Sequence, residues 1–334
     1  MSDRPEVEKS SSPIRAWLVR GVGLVLFLVI LTRVDYRGAF HLIRQANPLT
    51  LLAAFLLILP MVALKTLRWR RLQHVARIDS GTFESSFLAY LTGMYAGLVT
   101  PGRVGEFLRV KYLTDAGAPL GPAMSTVLWD RLIDVGGLFF MGLLALAPLA
   151  GEFGNLYRGL LILLVLLTLG TPVVLRGGGG IGSRARAALA ALAERAGAPG
   201  RRAREVGSAL GDTLAGMGPS TWLSLLALTL AGWLVYYLQA WLLARTLGIG
   251  LGLFPLVVSV TAAAVAAFLP VSISGLGTRD AAMVILFKRF GSPGEQAVAL
   301  STLVFLILIA NALLGLWASH RLERLTGSGN RNPN

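Results

Sequence analysis

The sequence predicts an all-α, polytopic membrane protein with about six full transmembrane helices and two oppositely oriented re-entrant helical hairpins in an inverted repeat. Three observations predict it. First, 54% of the 334 residues are hydrophobic and only 14% are charged, at a mean hydropathy of +0.67; a soluble domain carries about a quarter charged residues. The apolar excess falls in runs long enough to cross a bilayer. Second, many arginines sit at the ends of those runs, as the positive-inside rule requires of cytoplasmic loops. Third, two apolar segments in corresponding parts of the chain are each broken by proline and glycine.

In chain order, residues 1–15 form a polar, mixed-charge tail. The run after it lacks a clear small-residue cleavage site, so it reads as a retained span over 16–32. A second span covers 48–64 and leads into the basic stretch Lys65, Arg68, Arg70, Arg71, Arg77. Residues 83–99 are apolar and stop at Thr100-Pro101-Gly102, and an amphipathic piece over 104–113 follows. Further spans cover 121–150 and 156–175. Residues 176–218 are rich in Gly, Ala and Arg and read as a basic cytoplasmic loop that fixes topology. The second membrane half, 219–319, contains a span over 221–247, a broken segment over 253–290 and a last span over 295–319. A basic tail, 320–334, completes the chain.

Seventeen residues of helix, 83–99, reach roughly 25 Å, so length cannot separate a span from a hairpin. Charge can. With the N-terminus in the cytoplasm, two spans return the basic stretch to that side. A hairpin over 83–113 that dips in and returns then places 176–218 in the cytoplasm as well; a full crossing would place it outside, against the rule. By the same reasoning residues 253–290 form a hairpin entered from the other face. The first membrane half is thus 16–175, and the tail is cytoplasmic. Inverted repeats with interrupted helices are a transporter signature, with substrate held near the midplane.

Several chemistries are set aside by composition. No cysteine is present, which removes disulfides and thiolate catalysis, and His41, His74 and His320 are far apart. No metal or other cofactor is expected. The net charge of +14 follows from topology and needs no nucleic-acid partner. There is no G-x-x-x-x-G-K-[ST] phosphate loop.

The candidate substrate-binding residues are the charges inside the apolar regions. At the first elbow, Pro101 ends one half-helix, and Gly102 and Gly105 permit unusual backbone angles. A second half-helix starting near Val104 would point its free N–H groups at an anion, beside Arg103. Glu106 and Arg109 are one turn apart and can pair. In the long span, Asp130 and Asp134 share a face and Arg131 can pair with Asp134. At the second elbow, Pro270, Gly275 and Gly277 are the hinge residues, and Ser272 and Ser274 are polar. Thr278 is a candidate N-cap for a helix that carries Arg279 and Asp280. Each such charge costs about 2.5–3.5 kcal/mol at a helix centre, so several together need mutual pairing or a wet cavity. Two readings stand side by side for Asp130, Arg131 and Asp134: a cavity for a lipid phosphate, or a salt-bridge cluster that locks the hairpins to the long span. Trp69, Tyr236 and Tyr237 read as interfacial anchors or packing, and Asn311 as a bond between helices.

These elbows resemble the flippase-like transmembrane domain of lysylphosphatidylglycerol synthetases, a family that also has stand-alone members. The resemblance rests on Leu67-Arg68-Trp69, on Pro101 through Arg109, on Asp130-Arg131-Leu132-Ile133-Asp134, and on Leu269 through Asp280. The family more often has Glu at Asp130 and at Asp280, and Gly at Ser274; charge or small size is kept. The resemblance implies a lipid translocase domain without the aminoacyl-transferase domain of the synthetases.

The expected function is therefore movement of a phosphate-bearing lipid, of phospholipid or polyprenyl-phosphate type, between leaflets of the inner membrane. The chain would not be an enzyme. A lipid-synthesis enzyme is a candidate partner. Two rivals remain open: a membrane transferase acting on a lipid carrier, with Asp130 and Asp134 on a divalent metal, and a non-transporting scaffold docked through 176–218.

Overall fold

The computed structural model describes residues 36–151, 154–166, 200–268, 275 and 277–328. Its described residues form helices and connecting turns, with no strand among them. The predicted span over 16–32, most of the span over 156–175, and Pro270, Ser272 and Ser274 of the second elbow lie outside the described residues.

Helix α1 is Tyr36–Gln45. Asn47 then caps α2, Pro48–Leu56, its side chain accepting the Leu49 and Thr50 N–H groups, and Pro48 fills the first helical position where no N–H is needed. A turn at Leu57 separates α2 from α3, Ile58–Val75. Pro60 explains it, because its ring removes the hydrogen bond to residue 56 and crowds that carbonyl. Together α2 and α3 make one apolar rod of 28 residues, about 42 Å long. The rod continues unbroken through Lys65 and Arg68. The basic stretch is therefore not a loop that merely follows the span.

Thr82 caps α4, Phe83–Val99. The chain then makes a 3-10 helix, Pro101–Phe107, and an α-helix, α5, Leu108–Asp115. The second half-helix thus begins at Leu108, not near Val104. Two glycines in seven residues disfavour α winding, and the tighter 3-10 path brings Gly105 against the Ala96 carbonyl, where an added Cβ would sit 2.2 Å away. The 3-10 turn and α5 pack back along α4. The hairpin's two arms are of equal length, each about 26 Å.

Helix α6, Leu120–Leu146, continues as a 3-10 turn, Ala147–Leu149. Helix α7 is Gly154–Val165. Part of the region read as a basic loop is a packed helix, α8, Gly200–Gly216. Glu205 accepts the Gly121 N–H at 3.3 Å, Thr213 bonds Ser125 at 2.9 Å, and Trp129 donates to the Leu210 carbonyl. Helix α8 thus covers the ends of α3 and α6 with Ala209, Thr213 and Leu214 buried. The Gly- and Arg-rich composition hid this amphipathic face.

Helix α9 is Pro219–Thr246 and α10 is Leu253–Phe268. Helix α11 is Thr278–Arg289, and α12 is Gly294–Ser328. The cap of α11 is Gly277 at φ +83°, not Thr278, and the Asp280 carboxylate accepts the Gly277 N–H. Only glycine adopts that backbone angle cheaply.

Among the described residues, four rods are long and apolar enough to cross a membrane: Pro48–Val75, Leu120–Leu149, Pro219–Thr246 and Gly294–Arg324. Their outward faces carry exposed Leu49, Leu223, Leu234 and Leu313, which suits lipid and not water. Packing between the halves is reciprocal. The first arm of each broken segment lies on the rod that follows the other: α4 on α12, and α10 on α6. The preceding rods, α3 and α9, pack on each other. Each elbow presses a glycine on an alanine, Gly105 on Ala96 and Gly275 on Ala267.

Candidate functional site

The first elbow, α3, α6 and the Thr229 level of α9 converge on one group of charges. Arg68 is held by Asp130 through Nε and Nη2 at 2.9 and 2.7 Å, by Asp134 at 2.6 Å, and by Thr229 Oγ1 at 3.2 Å. Lys65, one turn earlier, donates to both Asp134 oxygens at 3.0 and 2.9 Å. The cations are three residues apart on α3 and the aspartates four apart on α6, so two facing helices meet charge for charge.

The hairpin supplies the other side. Arg109 Nη1 reaches Asp130 Oδ2 at 2.8 Å, and the Tyr90 hydroxyl donates to the same oxygen at 3.0 Å. The Arg109 guanidinium lies over Tyr90 and Trp69, 4.4 and 5.1 Å from the ring centres, a desolvated cation–π stack. Glu106 pairs with Arg131, with Arg103 at 3.4 Å and with Arg109 at 3.7 Å. Arg131 also reaches Asp134 at 3.3 Å.

Glycines make this possible. A Cβ on Gly97 would meet Glu106 at 2.5 Å, and one on Gly93 would meet Arg109 at 3.0 Å. Gly93 and Gly97 form a small-x-x-x-small pair, which lets backbones approach closely. Gly137 likewise admits α9, where an added Cβ would lie 3.2 Å from Thr229 and 3.3 Å from Trp233. Thr100 ties the elbow together, donating to the Ala96 carbonyl and accepting the Gly105 N–H, both at 2.7 Å.

The group is closed at one end and open at the other. Asp130 is fully buried, and the Arg68 and Arg109 side chains are 2% and 1% exposed. Arg103 is 48% exposed and holds a left-handed φ of +59°, a conformation that costs an arginine about 1–3 kcal/mol. Lys65, Arg131 and Asp134 are partly exposed. All four oxygens of Asp130 and Asp134 accept from cations or Tyr90. Five cations face three carboxylates, an excess of two positive charges. Buried within this excess, Arg109 Nη2 and Arg131 Nε have no hydrogen-bond acceptor among the described residues.

The sequence-predicted residues Arg103, Glu106, Arg109, Asp130, Arg131 and Asp134 are thus brought together. Arg279 and Asp280 form a separate buried group: Arg279 Nε donates to Ser301 at 2.9 Å, its guanidinium lies 5.5 Å from the Phe305 ring centre, and Ser301 bonds Asp280. Arg103 does not lie beside an α-helix N-terminus but inside the 3-10 turn. Sequence reasoning missed Lys65, Arg68, Tyr90 and Thr229 as members of the site. Arg68 appeared only as a flanking charge and in the resemblance. The available signal was the matched spacing of Lys65/Arg68 against Asp130/Asp134. Trp69 packs in the core and donates to Thr126 at 3.2 Å. Tyr236 and Tyr237 stack with Trp233 and bond Val260 and Thr261 of α10, which is a packing role. Asn311 is buried, yet its Oδ1 has no partner among the described residues, so the expected interhelical bond through that oxygen is absent there.

Comparison with known proteins places these features. A UPF0104 membrane protein of Methanocaldococcus jannaschii is 29% identical over 126 residues, 36% of this chain and 37% of its own length. A UPF0104 membrane protein of Archaeoglobus fulgidus is 27% identical over 149 residues, 44% of each chain. The matched regions thus span less than half of either relative. The family described as the lysylphosphatidylglycerol synthase TM region matches residues 17–315, which include every charge of the elbow cluster, and the chain belongs to that family.

Proposed function

We propose that the chain moves a phosphate-bearing lipid between leaflets, receiving the headgroup at the open rim of the elbow cluster. The observation that carries this reading is the excess of two positive charges inside a largely apolar bundle, with Arg103 half exposed at its mouth. Buried charge without a counter-charge is costly, so such a site favours an anion. The lipid tails would remain against the apolar outer faces. The reciprocal packing of α4 on α12 and α10 on α6 supports a mechanism in which the halves rock about the site.

In this reading the hairpins 83–113 and 253–290 are re-entrant from opposite faces, the N-terminus is cytoplasmic, and the chain lies in the inner membrane. It makes and breaks no covalent bond itself. A lipid-synthesis enzyme is the natural source of its cargo.

The test is lipid movement in proteoliposomes. Arg103→Ala should slow it at least tenfold, the worth of one charge-assisted hydrogen bond, with unchanged melting in detergent. Wild-type rates in that variant would sink the reading. Because the chain has no cysteine, single cysteines report topology cleanly. Ser208→Cys and His320→Cys, both at exposed positions, should react with an impermeant maleimide only from the cytoplasmic face. Reaction from opposite faces would break the assignment.

A further inference from the structure

We infer that the elbow cluster selects a lipid phosphate monoester, a dianion, over the monoanionic phosphodiester of an ordinary phospholipid. The inference rests on the proposed lipid site and names its substrate class.

The argument is one of charge and donors. At the closed end, one carboxylate, Asp130, is shared by two buried guanidinium groups, Arg68 and Arg109. At the rim, Glu106 is shared by Arg103, Arg109 and Arg131. Neither carboxylate matches the positive charge placed on it. Asp134, itself held by Lys65, Arg68 and Arg131, does not make up the difference. Water can screen the exposed part of Arg103, but Arg109 is out of its reach.

The donor inventory agrees. An arginine offers five N–H groups. Among the described residues Arg109 Nη2 and Arg131 Nε, both buried, have no hydrogen-bond acceptor, Arg109 Nη2 keeping only an ion-pair distance of 3.7 Å to Glu106, while Arg103 makes only a long contact to Glu106. Unmade hydrogen bonds of buried guanidinium groups are expensive. A diester has two unesterified oxygens that share one charge. A monoester has three that share up to two charges, which matches both the excess of two and the three under-used arginines around Glu106. Glu106 is then the resident counter-charge: as the phosphate enters, it yields part of its claim on Arg103 and Arg131.

The experiment compares fluorescent-tailed phosphatidic acid, phosphatidylglycerol and phosphatidylcholine of the same acyl chains at pH 8. It follows movement in proteoliposomes and, separately, the rise in melting temperature of the purified full chain as each lipid is added. Phosphatidic acid should move about tenfold faster than phosphatidylglycerol and stabilise more strongly. In Arg103→Gln, which removes one charge at a half-exposed position, that ratio should fall toward one, and Arg103→Lys should restore most of it. Equal rates and equal stabilisation for the three lipids would overturn the inference while leaving translocation standing. Selective stabilisation by phosphatidic acid without movement would overturn translocation and keep the inference. A full monoester preference in Arg103→Gln would overturn the assignment to this cluster. Equal stabilisation by inorganic phosphate would show that a free anion, not a lipid, is the ligand, and would overturn it too.

Discussion

At the residue scale, burial separates two kinds of charge in one cluster. Asp130 is fully buried and holds Arg68, Arg109 and the Tyr90 hydroxyl. Asp130→Asn should lower stability by about 3–5 kcal/mol, since it strands two buried guanidinium groups; the measurement is melting in detergent. Asp130→Glu keeps the charge and should cost less. Arg103, half exposed, should tolerate Arg103→Gln within about 0.5 kcal/mol, yet the variant should slow the movement of phosphatidic acid. A fall of several kcal/mol in that variant would make Arg103 a structural brace. The sequence allowed both readings of Asp130, Arg131 and Asp134. The geometry buries Asp130 between Arg68 and Arg109 and puts Arg103 and Arg131, both on Glu106, at the open rim.

Among the helices, glycine spacing decides how near the chains come. Gly97→Ala would drive a Cβ to 2.5 Å from Glu106 and should displace the side chain that gathers Arg103 and Arg131. Gly315→Ala would put one 2.4 Å from the Leu91 carbonyl and should part α12 from α4. Both should destabilise by more than about 1 kcal/mol, as overpacking does. Gly232→Ala, on α9, meets nothing within 4 Å and should be neutral or stabilising by about 0.5–1 kcal/mol. Melting curves for the three variants check the contrast; similar values would mean that close approach is not what these glycines provide. The hairpin itself was legible from Pro101, Gly102 and Gly105, because proline and glycine act locally. The 3-10 turn and the late start of α5 were not, since they depend on how Gly105 seats against Ala96. Helix α8 was missed as well. Its apolar residues do recur at helical spacing, Val206, Leu210 and Leu214, but glycine and arginine around them masked that period, and only the structure shows the helix packing on α3 and α6.

For the whole molecule, the reciprocal contacts predict rocking of one half on the other. Gly142 of α6 lies against Val265 of α10, where an added Cβ would be 3.1 Å from the valine. Gly142→Cys with Val265→Cys, joined by a short thiol cross-linker, should stop lipid movement, and cleaving the linker should restore it. Undiminished movement in the cross-linked protein would show that this seam stays shut during transport.

Fold class followed from the sequence alone, because long apolar runs can satisfy their backbone only as helices in a bilayer. The break after Val99 followed as well, because Pro101 beside Gly102 ends a helix there. Which charges meet was left to the tertiary structure. Lys65 and Arg68 read as loop charges until α3 proved continuous and met Asp130 and Asp134 across 62 to 69 residues of chain. The reason is physical: apolarity and helix breaking are properties of a few neighbouring residues, whereas charge compensation is a property of whatever helices the packing brings side by side.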